Sequence, residues 1–178
     1  MKKIFLSAAV SIIICSSLVA QYKVTPNKPY SVLRSNPGFV SINEATAGLG
    51  LHTNSTADSD HFFGFTTILG YQLNASFTAG AGTGLSFYDS NLLVPLFLDF
   101  RYHFLPRQFS PYIYADGGLL LMVSDLNATK VFISPGVGAR YSLGRKFAVN
   151  GSVGILTQVD GNNRASFGTV KVGGVYVF

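Results

Sequence analysis

From residue 38 onward, apolar and polar side chains alternate along the chain with a period of two. Successive side chains leave a β-strand on opposite faces, so this is the pattern of strands with one apolar face. The stretch 93–104 shows it most cleanly. Val94, Leu96, Leu98, Phe100, Tyr102 and Phe104 share one face, and Asp99, Arg101 and His103 share the other. Residues 147–155 repeat it, with Phe147, Val149, Gly151, Val153 and Ile155 opposite Ala148, Asn150, Ser152 and Gly154. In 131–141 the apolar set Val131, Ile133, Val137, Ala139 and Tyr141 faces away from Ser134, Gly136, Gly138 and Arg140. Pro135 falls mid-strand, where it removes a ladder donor, and predicts a bulge.

Carried along the chain, the pattern predicts strands near 39–51, 61–72, 75–88, 93–104, 111–123, 131–142, 147–159 and 165–178. Segments of this length suit a tilted bilayer crossing, which needs about 9–11 residues in the hydrocarbon. An even count places both ends of the barrel domain on one side, as in bacterial barrels. The expected fold is all-β: an eight-stranded antiparallel up-and-down transmembrane β-barrel over residues 38–178.

Alternation alone does not say which face points outward. A soluble barrel would need many Lys and Glu outside, yet charged residues are 12% of this chain against 48% hydrophobic, about half the ~25% charged of soluble domains. The polar face is mostly Gly, Ser, Thr and Asn, which suits a narrow lumen filled by side chains. Aromatic residues gather near strand ends, with Phe62, Phe63, Phe87 and Tyr88 at one rim. Tyr71, Tyr102, Phe104, Tyr141 and Tyr176 gather at the other, as in an interfacial girdle.

Residues 1–20 read as a secretory signal: Lys2 and Lys3, an apolar run from Ile4 to Ile14, and Leu18-Val19-Ala20 before Gln21. The single cysteine, Cys15, lies inside it, preceded by a bulky Ile14 that disfavours lipidation. Residues 21–37 hold three prolines and no period, and are expected to form an extended periplasmic leader. The formal charge of +5 includes both lysines of the signal. The remaining basic residues are dispersed, which excludes a nucleic-acid surface. With the leader periplasmic, the turns near 72–74, 105–110 and 143–146 share its side. The connections at 52–60, 89–92, 124–130 and 160–164, with Asp58, Asp60, Asp89, Asp125 and Asp160, face the exterior.

Six charged residues fall on the inward face: Glu44, Asp99 and Asp116 against Arg101, Arg140 and Lys171. Three acids balanced by three bases predict an ion-pair network that plugs and fixes the barrel, because a lone charge in such a lumen is costly. A gate or narrow ion path is the functional counter-reading. Glu44 is the member whose parity is least clear, since the first strand alternates poorly near Asn43. His103 is expected to be a satisfied polar neighbour of Arg101. At the outer rim, His52, His61, Asp89 and Ser90 hold the residue types of a nucleophile and base. Asp-Ser in a turn is ordinary turn chemistry, however, and a polar interior without an apolar pocket is expected. The run AGAGTG (79–84) has no following Lys or helix, so it is read as glycines on one strand face, not a phosphate loop. No cofactor and no metal site is expected.

The chain ends KVGGVYVF. This end is similar to the assembly signal of bacterial outer-membrane barrels, and Lys171, Gly173, Tyr176 and Phe178 fill its places. The runs VPLFLDFRYHF, SPYIYADGGLLL and FISPGVGARYSL resemble the small OmpA-like outer membrane protein beta-barrel domain family common in Bacteroidetes. The resemblance implies cleavage of the signal, insertion by the barrel-assembly machinery, and contact with outer-membrane lipid and lipopolysaccharide. It also implies a monomer with a structural, membrane-integrity or surface-interaction role. No peptidoglycan-binding domain follows the barrel here, so that family's cell-wall tethering is not expected. A lipid A-modifying enzyme and a low-conductance pore are the alternatives.

Overall fold

The computed structural model describes residues 37–51, 60–88, 91–105, 107–123, 129–160 and 163–178. The signal, nearly all of the leader, and His52, Asp58, Asp89, Ser90 and Asp125 lie outside the described residues. Eight strands follow one another: β1 (Gly38–Gly50), β2 (His61–Gln72), β3 (Phe77–Tyr88), β4 (Leu92–His103), β5 (Phe109–Met122), β6 (Lys130–Ser142), β7 (Phe147–Asp160) and β8 (Asn163–Val177). Every end falls within two residues of the position expected from alternation.

Each strand pairs antiparallel with its successor, and β8 pairs with β1 to close the barrel. The closing seam runs from Val40↔Val177 to Gly50↔Phe167. A closed sheet leaves no unpaired backbone edge, which is what hydrocarbon demands. At the end that carries β1's start, the turns are tight. In the β2–β3 turn Asn74 Oδ1 accepts from the backbone N–H groups of Ser76 and Phe77, both at 2.8 Å. That is the local bonding that makes Asn a turn residue.

The bulge expected at Pro135 is absent. Its pairing with Ala115 on β5 is intact. On β7 the register passes unshifted from Ile133↔Thr157 to Gly136↔Gly154. The ladder skips two positions there because proline has no N–H to give, but no extra residue is inserted. Pro95 does the same to the β3–β4 ladder, between Thr83↔Leu96 and Ser86↔Leu93. Both prolines are accommodated by an omitted pair, which leaves the parity of every following side chain unchanged.

The faces are sorted as parity requires. Large apolar side chains stand outward all round, among them Phe65, Leu98, Val137, Val153 and Val172, each more than half exposed. Soluble proteins do not present a continuous apolar band of this kind; it is the surface of a transmembrane barrel. Among the polar groups that interrupt it, three bond one another: Thr67 Oγ1 donates to Asn43 Oδ1 at 2.9 Å, and Asn43 Nδ2 to Ser41 Oγ at 3.3 Å. Outward Asn43 is why the first strand alternates poorly, and Glu44 points inward with 3% exposure.

The girdle holds at the terminus end, where Tyr71, Tyr102, Phe104, Tyr141 and Tyr176 all face outward. At the far end it is corrected. Phe63 and Phe87 face out, but Phe62 is buried inside the barrel, stacked on Tyr88 at 4.9 Å. Adjacent aromatic residues on one strand must take opposite faces, so half of that expected girdle fills the lumen instead.

Candidate functional site

Among the described residues, buried charge is concentrated in the lumen, whose middle is built from two struts that cross it. Arg101 on β4 donates from Nε to both oxygens of Asp99, at 3.1 and 2.9 Å. Its other edge reaches across to β1, with Nη1 at 2.8 Å and Nη2 at 3.1 Å from the two carboxylate oxygens of Glu44. The planar guanidinium is thus held by two carboxylates at once, a geometry that a lysine does not reproduce. Asn150 on β7 also donates to Glu44 Oε1, and donates to the hydroxyl of Tyr112 at 3.3 Å. The second strut joins β8 to β5, where Lys171 Nζ donates to Asp116 Oδ2. The ammonium also sits 4.4 Å from the ring centre of Tyr114, and Arg101 sits 5.6 Å from that of Tyr112.

Neither strut follows a neighbouring-strand contact. Each joins strands three apart in the sheet, so both brace the barrel across its bore. All five ionic partners are buried, with exposures from 0% at Asp99 to 7% at Lys171. Charges so enclosed are tolerable only when paired and bonded. Backbone close approach makes room for the rings beside them. A Cβ on Gly136 would lie 2.5 Å from Cε1 of Tyr114. Only glycine lets that ring lie flat on β6.

Of the six charged residues expected in the network, the structure joins five. Arg140 enters the lumen, 6% exposed, but among the described residues no carboxylate pairs with it. His103 is inward too, with Nδ1 3.3 Å from Ser110 Oγ and its ring against Tyr112. Tyr112, Tyr114 and Asn150 were missing from the expected set. They share the parity of Asp116 and of Ser152, and that signal was available in SPYIYADGG and in VNGSV.

The expectation of a polar interior is also corrected. Beyond the charged middle, the far end of the lumen is closed by Phe62, Leu93, Phe97, Leu120, Phe132, Leu156 and Phe167, all buried. Phe62 meets Phe167 edge-to-face at 5.4 Å, and Phe97 meets Phe132 at 5.9 Å. Between this aromatic layer and the struts lies a cavity of about 40 Å³, lined by Phe97, Phe132 and Leu156 but also by Thr46, Ser86, Ser134, Asp116 and Lys171. At the terminus end the lumen is divided. Val40, Ile42, Ala148, Val175 and Val177 fill one side, while His103, Ser110, Tyr112 and Arg140 occupy the other.

The C-terminal residues form the closing seam. Lys171 faces in as the second strut, while Tyr176 and Phe178 face out, edge-to-face at 5.2 Å. Phe178 N–H donates to Phe39 O at 3.1 Å, joining the last residue to the start of β1. Gly173 lies against β1, where a Cβ would meet the Glu44 side chain. His61 opens β2 on the outer face at the far rim; its proposed partners His52, Asp89 and Ser90 are among the residues not described.

No family model and no curated protein matches the chain. Solved structures do. The chain is similar to the crystal structure of Neisserial surface protein A (NspA), at 17% identity and a TM-score of 0.60, over 80% of this chain and 99% of that one. It is also similar to the crystal structure of the outer membrane protein OprG from Pseudomonas aeruginosa, at 11% identity and a TM-score of 0.52, over 82% of this chain and 98% of that one. At such identities the likeness concerns the fold: this is the small eight-stranded barrel seen in outer-membrane proteins, as the OmpA-like resemblance implies.

Proposed function

We propose that this protein is a closed outer-membrane barrel of Gram-negative bacteria, with a structural, membrane-integrity or surface-interaction role and no catalytic activity. It is exported by residues 1–20, which are then removed. It is inserted by the barrel-assembly machinery, for which Lys171, Gly173, Tyr176 and Phe178 serve as the recognised last strand. It works as a monomer whose outer face meets lipid and lipopolysaccharide and whose terminus end faces the periplasm. The observation that carries this reading is the filled lumen. Two cross-bore struts and an aromatic layer occupy the space through which a pore would conduct. What such a barrel offers to the outside is then its rim and loops, which supports work at the surface.

The test is fractionation together with gel mobility. The mature chain is expected in the outer membrane, migrating differently before and after boiling because a closed hydrogen-bonded barrel resists detergent. Recovery from the soluble periplasm contradicts the proposal. The alternative, a lipid A-modifying enzyme, needs an acyl-sized pocket, and the cavity between the aromatic layer and the struts holds only about 40 Å³. Lipid A mass spectra from cells with and without the protein separate the two. Identical spectra are expected here, and a shifted acyl pattern would install the enzyme instead.

A further inference from the structure

Arg140 stands apart from every other lumen charge. The carboxylates of Glu44 and Asp99 are both engaged by Arg101, and that of Asp116 by Lys171. Arg140 is 6% exposed, its Nε has no hydrogen-bond partner, and among the described residues no acid reaches it. It lines a small cavity in the terminus-end part of the lumen together with Arg101, His103, Thr78, Tyr112 and Asn150. Two guanidinium groups, a threonine hydroxyl and an imidazole thus converge on one space. His103 Nδ1 lies 3.3 Å from Ser110 Oγ, and in the tautomer in which it accepts, the ring's Nε2–H is a further donor. No carboxylate lines this space.

Charge distribution along the chain points the same way. Residues 21–37 and the turns at 73–76, 104–108 and 143–146 contain no Asp or Glu, but they contain Lys23, Lys28, Arg34, Arg107, Arg145 and Lys146. Among the described residues, the turns at this end carry Arg107, Arg145 and Lys146 and no Asp or Glu. The two carboxylates on Arg101 leave one negative charge over, but neither is paired with Arg140, so its buried guanidinium lacks a bonded counter-charge.

We propose that this cavity is an anion site, filled by one chloride-sized monovalent anion held on Arg140. The free space is about that of a single water-sized body, which excludes sulfate or phosphate. A water molecule is the competing occupant. Asn150 Oδ1 is also without a partner, and a water bridging it to Arg140 Nε would satisfy both atoms. Such a water leaves the guanidinium charge unneutralised, whereas an anion neutralises it.

The test uses the mature full-length barrel refolded in detergent, as wild type, Arg140→Gln and Arg140→Lys. Crystals soaked in sodium bromide are expected to show an anomalous peak beside residue 140 in wild type and in Arg140→Lys, and none in Arg140→Gln. At constant ionic strength, chloride or bromide is expected to raise the wild-type thermal midpoint by a few degrees over isethionate, a monovalent anion too large for the cavity, by binding the folded state alone. That difference should vanish in Arg140→Gln. If Arg140→Gln does not refold, the wild-type crystals decide the matter without it. Density at Arg140 without an anomalous signal in saturating bromide, or a midpoint as high in isethionate as in chloride, overturns the site.

Discussion

The middle and the far end of the lumen fill the same bore by opposite means. The middle is ionic: Arg101 is shared by Glu44 and Asp99, and Lys171 is bound to Asp116, all across the barrel. The far end is aromatic: Phe62, Tyr88 and Phe167 contact one another, and Phe97 contacts Phe132. An ionic layer fixes which strands face each other, since each strut has one partner and one geometry. An aromatic layer excludes water and tolerates small shifts. A bore built from both is closed and also held in register. Substitutions in each layer separate these two behaviours.

The largest effect is expected in the ionic layer. Arg101→Met removes the one cation shared by two buried carboxylates, and should cost about 3–5 kcal/mol. Urea unfolding of the barrel in lipid vesicles, followed by gel mobility, reads it directly. Little or no loss would mean that the strut does not brace the folded state.

In the aromatic layer, Phe62→Ala should cost about 3 kcal/mol, the usual loss for a buried ring that leaves a cavity. The middle should stay intact, so the losses from Phe62→Ala and Arg101→Met are expected to add in the double variant. If they do not add, the two layers are one cooperative unit and the distinction between them fails.

The two layers also differed in how far the sequence disclosed them. Charged residues are few, so Asp99, Arg101, Asp116 and Lys171 announce their parity, and the inward face at mid-barrel follows from them. The aromatic layer hides because both faces are apolar near the far rim. In Phe62-Phe63, Phe87-Tyr88 and Leu119-Leu120, neighbouring residues of similar character take opposite faces, and alternation carries no information there. The strands themselves were legible almost to the residue, since a period of two survives a skipped pair. Pro135 was misread because a lost donor was equated with an inserted residue. Pairing was less legible still: three acids and three bases balance on paper, yet Arg140 faces no acid, because distance across a bore does not follow from counts.

Smaller effects sharpen the contrast. Lys171→Met alone should strand Asp116 and cost about 3 kcal/mol, whereas the double change Asp116→Leu with Lys171→Met should return to within about 1–2 kcal/mol of wild type, as for buried pairs replaced by apolar ones. A double variant as unstable as the single one would mean that the strut contributes more than mutual compensation. The smallest effect is expected at Tyr114, whose buried hydroxyl has no partner. Tyr114→Phe removes that unsatisfied group and should be neutral or stabilising by about 1 kcal/mol. A clear loss of stability would reveal an acceptor or a bound water that holds the hydroxyl.

The claim that joins these points is that the bore is shut, and single-channel recording tests it most directly. Purified, refolded protein is added to a planar lipid bilayer in molar salt, with a boiled sample as control. The filled lumen predicts traces indistinguishable from the control at any holding potential that the bilayer survives. Steady, reproducible current steps from the folded protein, absent after boiling, would contradict it.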